Sequence, residues 1–157
     1  MSQHTDPVSS PGHALYDTDF YQWTQEQAAL LRDGKARDLD WTNLAEEMES
    51  LGASEKRTLG SHLQVLLLHL LKWQYQPTHR QDSYSWQDSI DEAREQIGDV
   101  LESSRSLRRH LPTLLAKHYP RARRKAHRET GLELATFPDT CPWDVEQVLA
   151  EDFWPEG

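Results

Sequence analysis

The spacing of hydrophobic and polar residues predicts amphipathic helices along most of the chain and no convincing strand. Residues 1 to 13 are rich in proline, serine and glycine and are predicted to form a disordered tail. A first helix is predicted from about Thr18 to Asp33, with Asp17 as its N-cap. Its loose inner face would consist of Phe20, Thr24, Gln27, Ala28 and Leu31.

A second helix is predicted after Asp40, which has the residue type of an N-cap. Its apolar residues recur every three or four positions, so they would form one buried stripe. The stripe consists of Trp41, Leu44, Ala45, Met48 and Leu51. Residues 52 to 54 begin with glycine and are predicted to be a tight turn into the next helix.

The third predicted helix, residues 55 to 76, is apolar around most of its circumference. Such a helix is buried by neighbours on several sides, so we expect it at the centre of a bundle. His69 lies among its leucines, and we expect a mostly buried ring that is hydrogen-bonded to a polar side chain or a backbone carbonyl. Glu49 and Ser50, on the neighbouring predicted helix, are the preferred partners.

The remaining pattern predicts a helix from Ser85, a kinked helix over residues 106 to 130 that continues through Pro120, and a short helix over residues 142 to 153. Helices joined by short links predict an all-α fold, a single bundle of five to six helices over residues 14 to 157. The inner faces of the first two of these helices are predicted to be Trp86, Ile90, Ala93, Ile97, Val100 and Leu101, and Leu111, Leu115, His118, Tyr119, Ala122 and Ala126.

The chain of 157 residues contains one cysteine, Cys141, so no intrachain disulfide can form. Its N-terminus has neither the basic start nor the apolar stretch of a signal peptide, so a cytoplasmic protein is expected. Cys141 could cap the last helix, where a helix dipole lowers the pKa of a thiol. The surrounding prolines and aromatic residues favour a packed turn over a nucleophile.

Seven short words in this sequence occur together in a known family. They are LYDTDFYQW, EEMESLG, LLLHLLKWQYQ, SLR, ETGL, FPDTCPW and DFWP. In this order, over residues 15 to 155, the chain resembles the bacterial family known as domain of unknown function 29. The resemblance implies an all-helical soluble domain and supplies no activity, cofactor or catalytic residue.

Charge is distributed unevenly along the chain. The net charge is −9, yet the segment from Arg105 to Arg128 contains nine basic residues and no acidic one. Helical periodicity places an acidic face on the fourth predicted helix and a basic face on the fifth, each opposite its apolar stripe. The two faces are Asp88, Glu92, Glu95 and Asp99, and Lys117, Arg121, Arg124 and Arg128.

A metal site inside the bundle is the main enzymatic alternative. Its candidate ligands are His62, His69, Glu46 and Glu49. Two helical turns separate the histidines by about 10 Å, and the Glu-x-x-His motif of carboxylate-bridged sites is absent, so no metal or other cofactor is predicted.

The leading hypothesis is a non-catalytic module that associates with further copies of itself through its opposed charge faces. No catalytic residue or small-molecule substrate is identified, no membrane segment is expected, and the sequence leaves open whether the protein is an enzyme. Nucleic acid could bind residues 105 to 128, although the net charge opposes its approach.

Overall fold

The computed structural model describes residues 12–82 and 84–156, which form six α-helices and four 3-10 helices without any strand. The predicted all-α fold is therefore confirmed. The α-helices are α1 (His13–Thr18), α2 (Phe20–Arg32), α3 (Trp41–Tyr75), α4 (Tyr84–Ser103), α5 (Leu111–Thr130) and α6 (Val145–Leu149). The 3-10 helices span Ala36–Asp38, Pro77–Asp82, Arg105–His110 and Leu134–Thr136.

The chain divides into two compact units, the first ending at Ala53 and the second beginning at Ser54. We call them the N-terminal and the C-terminal unit. The single bundle over residues 14 to 157 stays a prediction. Residues 1 to 11 of the predicted tail lie outside the described residues, and α1 already begins at His13.

The first predicted helix is two helices that meet at Asp19. The side chain of Asp19 accepts a hydrogen bond from the backbone N–H of Gln22 (3.0 Å), so it caps α2. The predicted cap, Asp17, instead lies within α1. The chain leaves α2 through Gly34, whose φ of +68° is readily adopted only by glycine.

Helix α3 runs without interruption from Trp41 to Tyr75, so the predicted turn at residues 52 to 54 is wrong. A glycine inside a helix costs about 1 kcal/mol relative to alanine, which lowers helix stability but does not end the helix. The two helices predicted on either side of Gly52 are thus two halves of one helix of 35 residues.

The interior of the C-terminal unit is formed mainly by leucine. Leu59, Leu63, Leu66, Leu67, Leu70 and Leu71 of α3 are fully buried. They pack in one cluster with the predicted inner faces of α4 and α5, including Ile90, Ile97, Tyr119 and Ala122. The periodicity of these two helices therefore predicted their buried sides correctly.

Helix α5 continues through Pro120, as predicted, and ends at Gly131, which adopts a left-handed conformation with φ of +73°. The preceding residues, Arg105–His110, form a 3-10 helix. Helix α6 starts later than predicted, because Asp144 and Gln147 form a capping box that places the first residue at Val145.

Candidate interaction surfaces

The N-terminal unit is held together by a buried polar cluster, which consists of Trp23, Gln27, Asp40 and Asn43. Oδ2 of Asp40 accepts from Nε1 of Trp23 (3.0 Å) and from Nδ2 of Asn43 (2.8 Å). The backbone N–H of Asp40 donates to Oε1 of Gln27 (2.8 Å). Asp40 also caps α3, as predicted, through the backbone N–H of Asn43 (3.5 Å). One carboxylate thus joins α2 to the start of α3.

This cluster favours the ionised form of Asp40. Burial alone would raise the pKa of its carboxyl group, but the hydrogen bonds from Asn43 and Trp23 outweigh burial and lower that pKa. A second link joins α1 to α3, where Tyr16 Oη donates to Oε1 of Glu47 (2.6 Å). That hydrogen bond is the main reason why the pKa of Tyr16 rises to about 12.

Three polar residues share the interior of this unit with Trp23 and Leu39, and several large apolar side chains lie on its surface. Trp41 is 62% exposed, Met48 is 67% exposed and Leu51 is 62% exposed, although all three were predicted to be buried. Leu44 of the same predicted stripe is only half-buried, and Ala45 is exposed. The prediction followed the apolar periodicity, whereas α3 packs on α2 through the hydrogen bonds around Asp40.

Helix α2 likewise exposes residues that were predicted to be buried. Phe20 and Leu31, two members of its predicted inner face, are 49% and 55% exposed. Trp23, which the prediction left out, is 2% exposed, and Gln27 is buried as predicted. Tyr21 is also exposed, so this unit carries six large exposed apolar side chains on α2 and α3. They are Phe20, Tyr21, Leu31, Trp41, Met48 and Leu51.

The two charged faces predicted for the C-terminal unit are both exposed. The acidic face on α4 contains Asp88, Glu92, Glu95 and Asp99, and the basic face on α5 contains Lys117, Arg121, Arg124 and Arg128. Within residues 12–82 and 84–156, none of these eight side chains lies within 4.0 Å of an opposite charge. Both faces therefore remain available to an outside partner of opposite charge.

The four candidate metal ligands do not come together. Glu46 and Glu49 are exposed, and His62 and His69 are half-buried farther along the same helix. Glu46 and Glu49 belong to the N-terminal unit, whereas His62 and His69 belong to the C-terminal unit. The described residues contain no group of three or more His, Cys, Asp or Glu side chains positioned to hold a metal ion.

His69, which was predicted to be a mostly buried and hydrogen-bonded ring, is half-buried and bonded to its own helix. Its Nδ1–H donates to the carbonyl of Val65, one turn earlier (2.8 Å). The predicted backbone-carbonyl bond is present, but the preferred partners Glu49 and Ser50 are wrong because α3 does not turn back at Gly52. Burial is the largest cause that lowers the pKa of His69.

A model of the family described as "Domain of unknown function DUF29" matches residues 15–154. The chain belongs to this family. The resemblance carried by the seven sequence words is thereby confirmed over nearly the whole chain. No curated protein and no solved structure matches the chain significantly. The family description contains no activity, so the functional argument rests on the surfaces of this DUF29 chain.

Sequence reasoning missed one polar contact inside the C-terminal unit. His118 is 7% exposed, and its Nδ1–H donates to Oε1 of Gln64 on α3 (3.1 Å). The ring packs directly over Gly60, so that an added Cβ there would overlap it. Burial, with Arg121 and Lys117 nearby, lowers the pKa of His118. The sequence contained one signal for this contact. Gly60 lies one turn before Gln64, the only glutamine among the leucines of this segment.

Arg94 is the second missed residue, and it is buried although it is charged. Its guanidinium donates to the carbonyls of Val148 (3.0 Å), Glu151 (3.4 Å) and Phe153 (2.7 Å). It also lies 5.4 Å from the ring centroid of Trp154. Arg94 therefore fixes the C-terminal segment to α4, a structural role that its place on an apolar helix face could have suggested.

Cys141 has no feature of an activated nucleophile. It is half-buried, and burial raises the pKa of its thiol. The cap of α6 is Asp144, so Cys141 does not have the capping role that was considered for it. It is partly buried and packs against the hydrophobic core, in agreement with the favoured packed turn. Among the described residues, no helix is both long enough and apolar enough to cross a membrane.

Proposed function

We propose that this DUF29 chain is a cytoplasmic, non-catalytic interaction module that associates with a second copy of itself. The observation that carries the proposal is the set of exposed apolar side chains on the N-terminal unit, above all Trp41, Met48 and Leu51 on one helix. Large apolar residues that are contiguous on a surface mark interaction sites.

The size of this apolar surface is consistent with reversible association. Complete burial of one such side chain contributes about 1.5–3 kcal/mol, so three side chains that are about two-thirds exposed would contribute roughly 6–12 kcal/mol when two copies bury them. Association itself costs about 4–15 kcal/mol. The two quantities are similar, so we expect a dimer that forms in a concentration-dependent manner.

The test is size-exclusion chromatography with light scattering at several concentrations, in low and in high salt. We expect the mass to rise towards that of a dimer with concentration, and the dimer to persist in high salt because burial of apolar surface is not screened. A dimer that dissociates in high salt would instead assign the association to the charged faces on α4 and α5. A monomer under every condition would contradict self-association.

Two matched variants locate the surface. Met48→Glu places a charge among the exposed apolar side chains and should abolish the dimer. Ser50→Glu adds the same charge to an exposed position of the same helix outside the apolar set, and it should leave the dimer intact. Equal loss in both variants would mean that net charge, rather than apolar contact, controls association.

The exposed basic face on α5 supports a second candidate, the binding of an anionic polymer. Nine basic residues without an acidic neighbour lie between Arg105 and Arg128, and Lys117, Arg121, Arg124 and Arg128 are exposed. Binding of labelled single-stranded RNA or DNA should then weaken steeply with salt and be lost in Arg121→Ala/Arg124→Ala. Lys35→Ala/Arg37→Ala, which removes two exposed charges from the N-terminal unit, is the control.

A further inference from the structure

Four exposed residues of α3 form a regular seam, which consists of Trp41, Ala45, Met48 and Gly52. Their spacing of four, three and four residues is the heptad spacing of helices that pair along their length. Leu44 and Leu51 flank the same side of the seam, so the apolar strip is wider than its four central residues. The seam lies entirely within the N-terminal unit.

Gly52 shows that space over the seam is open. Apart from the backbone of the helix itself, no atom of the described residues lies within 4 Å of the position that a Cβ on Gly52 would occupy, so no internal contact requires a glycine there. Glycine in the middle of a helix weakens it relative to alanine. Gly52 therefore weakens α3 without serving an internal contact. A side chain of a partner that occupies the space above Gly52 would explain why a glycine is present there.

The same spacing of four, three and four residues recurs later in the chain, within the C-terminal unit. There it consists of Leu59, Leu63, Leu66 and Leu70, all of which are fully buried. A pattern that is covered by apolar neighbours in the C-terminal unit is thus exposed in the N-terminal unit. The exposed set has the composition of a surface that another helix covers.

Residue sizes along the seam alternate between large and small. Trp41 and Met48 occupy one heptad position, and Ala45 and Gly52 occupy the other. Two parallel copies would place each residue against itself, so that Trp41 would meet Trp41 and Gly52 would face Gly52. Two antiparallel copies would place Trp41 against Gly52 and Met48 against Ala45, so every large side chain meets a small one.

We propose that the seam binds the seam of a second copy in an antiparallel, twofold-symmetric helix pair whose axis crosses α3 between residues 46 and 47. Such a contact is isologous, because each copy uses the same surface, and it closes at a dimer. The proposal rests on the proposed self-association and adds to it the orientation of the two copies and the residues that pair.

The orientation can be measured with one spin label on each copy. Ser61, an exposed α3 residue far from the proposed axis, is changed to cysteine in a Cys141→Ala background and labelled with a nitroxide. Pulsed electron–electron double resonance on the dimer should give a distance of about 40–50 Å between the two nitroxides. Each residue between Ser61 and the axis adds about 1.5 Å to this distance on each copy. A parallel pair would give less than about 25 Å.

The size pairing can be tested separately by filling the space over Gly52. Gly52→Leu should raise the dimer dissociation constant at least tenfold, although leucine favours the helix. Trp41→Ala/Gly52→Leu exchanges the large and the small side of that pair and should restore association to within about threefold of the original protein. Gly98→Leu, at another open helix-interior glycine, should not change association.

These outcomes separate the pairing from the association itself. A monomer at every concentration overturns both proposals. A dimer with the short spin-label distance, or a dimer that Gly52→Leu leaves unchanged, overturns the antiparallel seam while self-association stands. A long distance together with rescue by the exchanged pair supports the seam.

Discussion

Each of the two units contains one part of helix α3, and the kind of residue that is buried differs between the two parts. In the C-terminal unit, α3 buries a line of leucines against α4 and α5. In the N-terminal unit, the residues at the start of α3 that are buried are Asp40 and Asn43, while Trp41 and Met48 are exposed. Hydrogen bonds to a buried carboxylate can therefore decide which side of an amphipathic helix faces inwards, even when apolar residues occupy the other side.

The difference has an energetic meaning. A leucine interior is stabilised by removal of apolar area from water, an effect that needs no directed bond between particular atoms. A polar interior is stabilised only while each donor has its acceptor, because an unpaired buried group costs about 1–3 kcal/mol. We expect the N-terminal unit to depend on the ionisation of Asp40. The C-terminal unit should lose stability as the pH falls below the ordinary histidine pKa of about 6.5, because burial lowers the pKa of His118 and of His69 in the folded protein.

The largest expected effect compares two leucines of α3. Leu66→Ala in the C-terminal unit should lower the free energy of unfolding by about 2–5 kcal/mol, because it leaves a cavity in a fully buried site. Leu51→Ala, at a side chain that is 62% exposed, should lower it by no more than about 0.5 kcal/mol when measured at a concentration where the protein is monomeric. Urea denaturation measures both, and similar losses would mean that Leu51 is buried in the monomer.

The next effect concerns the polar cluster. Asp40→Asn replaces an acceptor that serves Trp23 and Asn43 with a group that also donates, and it should destabilise the N-terminal unit by about 1–3 kcal/mol. Hydrogen exchange should show a larger loss of protection in α1 and α2 than in α4 and α5. Equal loss in all four helices would show that the two units unfold together.

The same residue predicts a dependence on pH. Because the pKa of Asp40 is lower in the folded protein than in the unfolded chain, its contribution to stability is present above its usual pKa of about 4 and is lost as the pH falls through the folded pKa. The stability difference between the original protein and Asp40→Asn should therefore shrink below about pH 4. A difference that stays constant down to pH 2 would contradict this.

A smaller effect compares glycines inside helices. Gly60→Ala should cost about 1–2 kcal/mol, because the added methyl group overlaps the buried ring of His118. Gly98→Ala should instead stabilise by up to about 1 kcal/mol, since, apart from its own helix backbone, no atom of the described residues lies within 4 Å of the added Cβ. Thermal denaturation distinguishes the two signs, and stabilisation by Gly60→Ala would mean that the His118 ring can move aside.

The smallest expected effect is on the basic face. Arg121→Ala/Arg124→Ala removes two exposed charges that have no ion-pair partner in the described part of the chain, so stability should change by less than about 0.5 kcal/mol. Any larger loss in denaturant unfolding would show that this face contributes to the folded unit itself.

The sequence by itself determined those features that depend on neighbours within one or two helical turns. These are the helical periods of α4 and α5, the cap at Asp40, the end of α2 near Asp33 and the passage of α5 through Pro120. The order of short words along the whole chain also identified its family. Local hydrogen bonds and the spacing of side chains determine these helical features, so they can be predicted from short segments of the sequence.

The tertiary structure alone decided which face of α2 and of the first part of α3 is covered. Periodicity shows that residues 41 to 51 have an apolar side, but it cannot show that Trp23 and Gln27 bring α2 to the opposite, polar side. For the same reason the three carbonyls bound by Arg94 were missed, because they lie 54 to 59 residues later in the chain and the free energy of such contacts exists only once the chain has folded. The partner of His69 was missed because a turn was predicted at Gly52. In the continuous helix α3 that partner is the carbonyl of Val65, one turn earlier.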